Sequence, residues 1–257
     1  MPRALLWVLA AIISIAFTAL AFLPANWMAA IVEEQTAGRL TLGDAQGTLW
    51  QGSAFIGGAA GDYDPVTPLL PGRFSWSLSP TIFLGSIAAE LENPAALSQP
   101  VAITGGWREW QISPATIILP AERLAGLGAP LNTLQPSGQM RLSWSPLQLA
   151  LQDGKVELNG TMDLELIDIA SRMSPVKPLG DYNLNFNWQG QQATALLSTN
   201  KGPMLLNGKG TFNNGRLQFS GTAQAETGQE ERLANFLNLL GQHRTVNDRD
   251  AIALEFK

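Results

Sequence analysis

From about residue 39 onward, apolar and polar positions alternate along the chain with the period of two that marks a strand with one wet face. Residues 155–166 show it most clearly. Val156, Leu158, Met162, Leu164 and Leu166 fall on one side with Gly160, while Lys155, Glu157, Asn159, Thr161, Asp163 and Glu165 fall on the other. Residues 181–188 repeat the pattern, setting Tyr182, Leu184, Phe186 and Trp188 against Asp181, Asn183, Asn185 and Asn187. Shorter alternators cover 73–79, 140–144 and 216–224. Strands of a parallel sheet are covered on both faces and read as unbroken apolar runs, so this pattern predicts an antiparallel sheet. Asp153-Gly154 and Asn214-Gly215 separate such stretches, as the residues of tight hairpins do. The expected fold is mainly β, a curved antiparallel meander of hairpins.

Helical periodicity is scarce in this part. Leu233, Phe236, Leu237 and Leu240 have i, i+3, i+4, i+7 spacing, which predicts a helix over 230–240 with Gly241 as its stop. Residues 121–127 follow Pro120, a good first helical position, and end at Gly128, which allows one or two turns. Residues 251–256 read as a last strand. The Pro- and Gly-rich stretch 57–72 reads as a long loop.

The N-terminus follows a different rule. Residues 4–23, ALLWVLAAIISIAFTALAFL, carry no charge and nothing more polar than Ser14 and Thr18. A helix of that length covers roughly 30 Å, the thickness of a bilayer's hydrocarbon core. Arg3 precedes the block and Glu33 and Glu34 are the first charges after it. Positive charge stays on the cytoplasmic side, so the rest of the chain is exported. Trp7 and Trp27 bracket the block, and Pro24 breaks the helix at its exit. The rival reading is a cleaved signal peptide with Ala19-Leu20-Ala21 as its processing site. Cleavage there would cut inside the apolar block, which is also longer than the roughly 7–15 residues of a signal sequence. The organisation expected is a cytoplasmic tail (1–3), a transmembrane helix (4–23), a juxtamembrane linker (24–38) and a periplasmic β-rich domain (39–257).

Composition narrows the chemistry. Charged residues are only 14% of the 257, and the net charge is −5, with 16 basic against 21 acidic side chains. No basic run exists to track a phosphate backbone, so nucleic acid is not an expected partner. The absence of cysteine excludes disulfides, thiolate metal sites and thiol nucleophiles. His243 is the only histidine, and beside a helix end it reads as a structural or solvent-exposed residue. Phosphate-binding, dinucleotide-binding and serine-hydrolase motifs are missing. Glu90 and Glu92 share one side of a strand, which reads as its solvated face because Ala89 and Leu91 supply the apolar one. Asp62 and Asp64, and Asp248 and Asp250, lack the spacing of a calcium loop. No catalytic residue, metal ligand or cofactor is expected.

Tryptophan is the unusual residue, with eight in the chain. Phe74-Ser75-Trp76-Ser77, Leu142-Ser143-Trp144-Ser145 and Phe186-Asn187-Trp188-Gln189 share an apolar-polar-Trp-polar pattern, each followed by an apolar strand and a Gly-containing turn. Their unequal spacing makes this a likeness between hairpins and not a solenoid repeat. Two readings fit Trp76, Trp144 and Trp188: they fill a closed core under a curved sheet, or they line an open apolar groove that accepts lipid or an apolar segment of a partner.

The chain as a whole resembles protein N of the bacterial type II (general) secretion pathway. The resemblance is carried by the short basic N-tail with a single anchor, by Gly47-Thr48-Leu49-Trp50-Gln51-Gly52, Phe74-Ser75-Trp76-Ser77-Leu78-Ser79-Pro80 and Pro136-Ser137-Gly138, and by Pro178-Leu179-Gly180-Asp181-Tyr182 and Gly202-Pro203-Met204-Leu205-Leu206-Asn207-Gly208. It implies a non-enzymatic accessory component of the inner-membrane platform that supports export of folded periplasmic proteins across the outer membrane. Other bitopic platform subunits would be its partners, reached through the helix and through strand edges. The groove proteins of envelope lipid transport are similar too, and imply the alternative of a periplasmic lipid-binding β-groove. The two differ in whether phospholipid copurifies.

Overall fold

A computed structural model describes residues 2–36, 38, 40–58, 67–68, 70–123, 131–152, 154–213, 216–246 and 249–256. In chain order the elements are α1 (Pro2–Ala21), α2 (Asn26–Gln35), β1 (Leu40–Gly47), β2 (Gln51–Gly58), β3 (Thr67–Pro68), β4 (Phe74–Leu78), a 3-10 turn (Pro80–Leu84), β5 (Ser86–Glu92), β6 (Val101–Gly106), β7 (Glu109–Ile112) and β8 (Ala115–Pro120). They continue with α3 (Leu131–Leu134), β9 (Pro136–Trp144), β10 (Leu147–Gln152), β11 (Lys155–Ser171), β12 (Gly180–Gly190), β13 (Gln192–Lys201), β14 (Met204–Asn213), β15 (Arg216–Ala225), α4 (Glu230–Leu240), β16 (Gln242–Val246) and β17 (Arg249–Phe256).

The fold is mainly β, and its pairings are antiparallel. Strands pair with their sequence neighbours from β1 to β2, from β4 through β7 and from β11 through β15, with β4 also on β2 and β17 joining β15 to β16. The middle of the sheet is a pair of bent strands. β7 and β8 are separated by Ser113-Pro114, and β9 and β10 by Ser145-Pro146; β7 lies on β10 while β8 lies on β9. Proline cannot donate to a ladder, so each break falls where the strand turns. The single long β11 carries both β10, on its first half, and β9, on its second. Both expected hairpins are present: Gln152 pairs with Lys155 and Asn213 with Arg216, which leaves two residues for each turn.

A bulge in β11 keeps the right side chains inside. Asp168 has φ of +51°, and the register with both neighbouring strands shifts there. Leu164 and Leu166 face inward before it and Ile169 and Ser171 after it, so one extra residue resets the alternation. The Asp181 carboxylate accepts from the Asp168 backbone N–H at 2.8 Å and pairs with Lys201 Nζ at 3.1 Å, which pins β11, β12 and β13 at that level.

The main core lies between this sheet and α4. Leu233, Phe236 and Leu237 pack on Met140, Ile169, Tyr182, Met204, Ala223 and Ile252. The helix and the last strand fall where the sequence pattern placed them. Three elements did not announce themselves. Asn26–Gln35 forms α2, which packs along β1 within the stretch read as a juxtamembrane linker. Leu131–Leu134 forms the single turn α3. The apolar run after the first Trp motif, expected to be strand, is instead a 3-10 turn, because the Ser79 hydroxyl caps the Thr81 N–H and Gly85 ends the turn at φ +86°. Of the helix expected at 121–127, only 121–123 lie within the described residues; of the loop expected at 57–72, residues 57–58 end β2 and pair with the short β3, because the two run antiparallel there, and most of the rest lies outside them.

Among the described residues, no helix is long and apolar enough to cross a membrane. Helix α1 is 20 residues long, but its side chains are described only from Leu6 onward, short of the roughly 20 residues a bilayer core requires.

Candidate functional site

The strand register decides where the tryptophans point, because residues directly opposite on antiparallel neighbours share a face. Trp76 sits between Gly52 on β2 and Leu91 on β5. Following the pairs across the sheet, Leu91 meets Val101, Ile103 meets Ile112, and Ile112 meets Leu147. Leu149 then meets Leu158, Met162 meets both Trp144 and Phe186, and Trp188 meets Ala193. Trp76, Trp144 and Trp188 therefore belong to one apolar face that runs across the sheet. Trp110, paired with Gly105 and Leu149, lies on the same face and was not singled out by sequence. Its strand spans only four residues, too few for alternation to register.

Each Trp of the three motifs sits beside a small residue on a neighbouring strand: Gly52 for Trp76, Ala115 for Trp144, and both Gly160 and Ala193 for Trp188. A bulky ring laid over a small neighbour lets the sheet curve without a void.

Their surroundings differ. Trp76 is buried with Ala25 and Ala54, and its indole N–H donates to the Leu49 carbonyl at 3.0 Å. Trp144 is half-buried against the cluster of Leu97, Val101 and Ala115, and donates to the Ser113 carbonyl at 2.9 Å. Trp188 meets Phe212 edge-on, with ring centres 5.2 Å apart, and its indole nitrogen is buried with no hydrogen-bond partner, as is that of Trp110. The face is therefore covered in different ways along its length. Helix α4 closes it at one end of the strands. At the other end Val156 is 52% exposed and Leu151 38%, and an open depression of about 410 Å³ is lined by Val156, Leu158, Trp188 and Phe212 together with Lys155, Gly190 and Gln191.

The opposite face is polar. Glu90 and Glu92 are exposed there beside Ser75 and Ser77, as expected for a solvated side. On that face Arg73, just before β4, clamps β1 and β2. Its guanidinium donates to the Asp44 carboxylate and to the Asp44 and Ser53 carbonyls, and it stacks over the Phe55 ring at 4.7 Å. The hydrogen bond from Arg73 holds the Asp44 carboxyl below its ordinary range. Burial pushes the Tyr182 phenol well above its ordinary value and keeps it neutral, donating to the Met204 carbonyl. Among the described residues no group of three or more His, Asp or Glu could hold a metal ion. Asp62, Asp64 and Asp248 lie outside the described residues. In β16 the backbone of His243 pairs with Ile252 of β17, and Thr245 with Asp250; the side chains of His243 and Asp250 are not among those described.

Comparison with known proteins adds one match. A family model described as type II secretion system (T2SS), protein N, matches residues 38–249, nearly the whole sheet. No curated protein and no solved structure gives a significant match.

Proposed function

The chain belongs to the protein N family of the type II secretion system, and from that premise we propose that it is a non-enzymatic accessory subunit of the inner-membrane platform, anchored by α1 with its sheet in the periplasm. The family makes it a secretion component; the anchor and the accessory role are the proposal. The observation that carries the anchor is the pairing of an uncharged 20-residue block with exposure. Trp7, Leu9, Ile12, Ile13, Ile15 and Phe17 all stand more than half exposed, spread round the whole helix, and no part of the sheet covers them. Apolar side chains left bare all round a helix suit lipid and not water. With the basic Arg3 before the block, the N-terminus stays cytoplasmic.

Bitopic platform subunits are the proposed partners. Strand β16 pairs only with β17 among the described residues, so its outer edge presents backbone groups to a further strand. The test is deletion of the gene in a strain that secretes through this pathway. Secreted enzymes should then accumulate in the periplasm and return to the medium on complementation. Undiminished export from the deletion strain would refute the role.

A second reading, a lipid-binding groove, draws on the one-sided apolar face and its opening at Val156, Leu158, Trp188 and Phe212. Phospholipid retained by the detergent-extracted protein in native mass spectrometry would favour it.

A further inference from the structure

Three turns meet at the end of the sheet where α1 arrives: 48–50 between β1 and β2, the 3-10 turn between β4 and β5, and 107–108 between β6 and β7. The chain leaving α1 is stitched to this end. The Trp50 indole N–H donates to the Leu20 carbonyl at 2.8 Å, the Leu49 N–H to Leu23, and the Ala25 N–H to Gly47. The helix and the domain are thus joined by hydrogen bonds within a few residues, and the apolar helix ends at the level of these turns.

The turns themselves carry side chains that water does not favour. Phe83 is 58% exposed, Leu84 87% and Trp107 59%. They come from separate segments and sit together: Phe83 meets the Trp50 ring edge-on at 5.5 Å, and the Trp107 indole lies over Gly85, where an added Cβ would be 3.1 Å from its nitrogen. Arg108, exposed beside Trp107, supplies a positive charge at the edge of the patch. Tryptophan with an apolar body and a polar N–H, flanked by a basic side chain, is the composition that settles at a lipid headgroup boundary.

We propose that the patch of Trp50, Phe83, Leu84 and Trp107 rests on the outer leaflet of the membrane that holds α1, fixing the sheet in one orientation against the bilayer. Exposed apolar groups on the 3-10 turn insert at the headgroup level while Arg108 meets lipid phosphate. The inference rests on α1 being the anchor, and its occupant is chosen because the patch is continuous with the end of that helix. A protein partner seated on the patch is the competing outcome.

The chain has no cysteine, so single labels can be placed on the full-length protein in phospholipid vesicles. Three variants decide the matter: Leu84→Cys in the patch, Ile12→Cys within α1, and Leu196→Cys, 51% exposed on the sheet's other face. Each carries an environment-sensitive fluorophore, and the vesicles contain a nitroxide-bearing lipid as quencher. The proposal expects the Ile12 and Leu84 labels to lose emission to the lipid-borne quencher and the Leu196 label to keep it. Quenching at Ile12 with none at Leu84 beyond that at Leu196 would overturn the docking while leaving the anchor in place. Quenching at Leu84 without Ile12 would show lipid at the patch with α1 outside the bilayer, and would overturn the docking as stated together with the anchor. Quenching at neither would remove both.

Discussion

The Trp76 indole lies directly over Gly52, so close that a Cβ added at Gly52 would come within 2.4 Å of the ring's Cζ2. The Thr48 carbonyl would be 2.8 Å away on another side. Neither neighbour has room to yield, because the ring is buried and held by its hydrogen bond to Leu49. Gly52→Ala should destabilise the domain by about 1–3 kcal/mol, the usual cost of overpacking. Urea unfolding followed by tryptophan fluorescence checks it; an unchanged midpoint would mean that the pair is not packed as described.

The two indoles Trp76 and Trp188 should respond differently to loss of their N–H. Trp76→Phe removes a donor and strands the Leu49 carbonyl, a loss of about 0.5–1.5 kcal/mol beyond any change in packing. Trp188→Phe removes a buried donor that makes no hydrogen bond and keeps the aromatic contact with Phe212. Beyond any change in packing, that substitution should cost nothing, or stabilise. Equal losses in the two variants would contradict the assignment of their partners.

Helix α4 should matter through one face only. Leu233 is fully buried against the main cluster, and Leu239 is 58% exposed. Leu233→Ala should cost about 2–5 kcal/mol by opening a cavity, while Leu239→Ala should change stability by less than about 0.5 kcal/mol. Thermal unfolding of the two variants separates them. A large loss at Leu239 would place α4 differently.

Much of this arrangement was legible because alternation is a property of each strand by itself. The sides assigned to 155–166 and 181–188 are the sides the register gives, and the turn residues of both tight hairpins fell between paired strands. The spacing of Leu233, Phe236, Leu237 and Leu240 likewise gave α4 its bounds. What escaped depends on neighbours. The bulge at Asp168 resets alternation only because two other strands hold it. Ile82-Phe83-Leu84 reads as strand until Ser79 and Gly85 are seen to cap a turn. That Trp76, Trp144 and Trp188 share one face follows from a chain of pairings across many strands, which no local pattern contains. Trp50 enters the sequence reading only as part of the stretch 47–52 that carries the resemblance, and its place beside Leu20 and Phe83 is seen only in the fold.

The Arg73 clamp gives a pH dependence of known sign. The Asp44 carboxyl titrates below its ordinary value of 3.8 in the folded chain because the Arg73 guanidinium bonds to its charged form. A group with a lowered folded pKa contributes stability above its unfolded pKa, and that contribution is lost as pH falls through the folded value. The stability difference between the wild type and Asp44→Asn should therefore be constant above about pH 5 and shrink as the medium becomes more acidic than the ordinary carboxylate range. Urea midpoints measured from neutral pH down to strong acid test this. A difference that grows on acidification would contradict the sign.

Anchorage by α1 with the sheet outside the cytoplasm is the claim on which the proposed accessory role in the inner-membrane platform and the docked orientation both depend. A pair of fusions at the carboxy-terminal end, one to a phosphatase active only after export and one to a fluorescent protein that matures only in the cytoplasm, measures it directly. The account predicts an active phosphatase and a dark fluorescent protein, both in the membrane fraction. A bright fluorescent fusion with a silent phosphatase would contradict it.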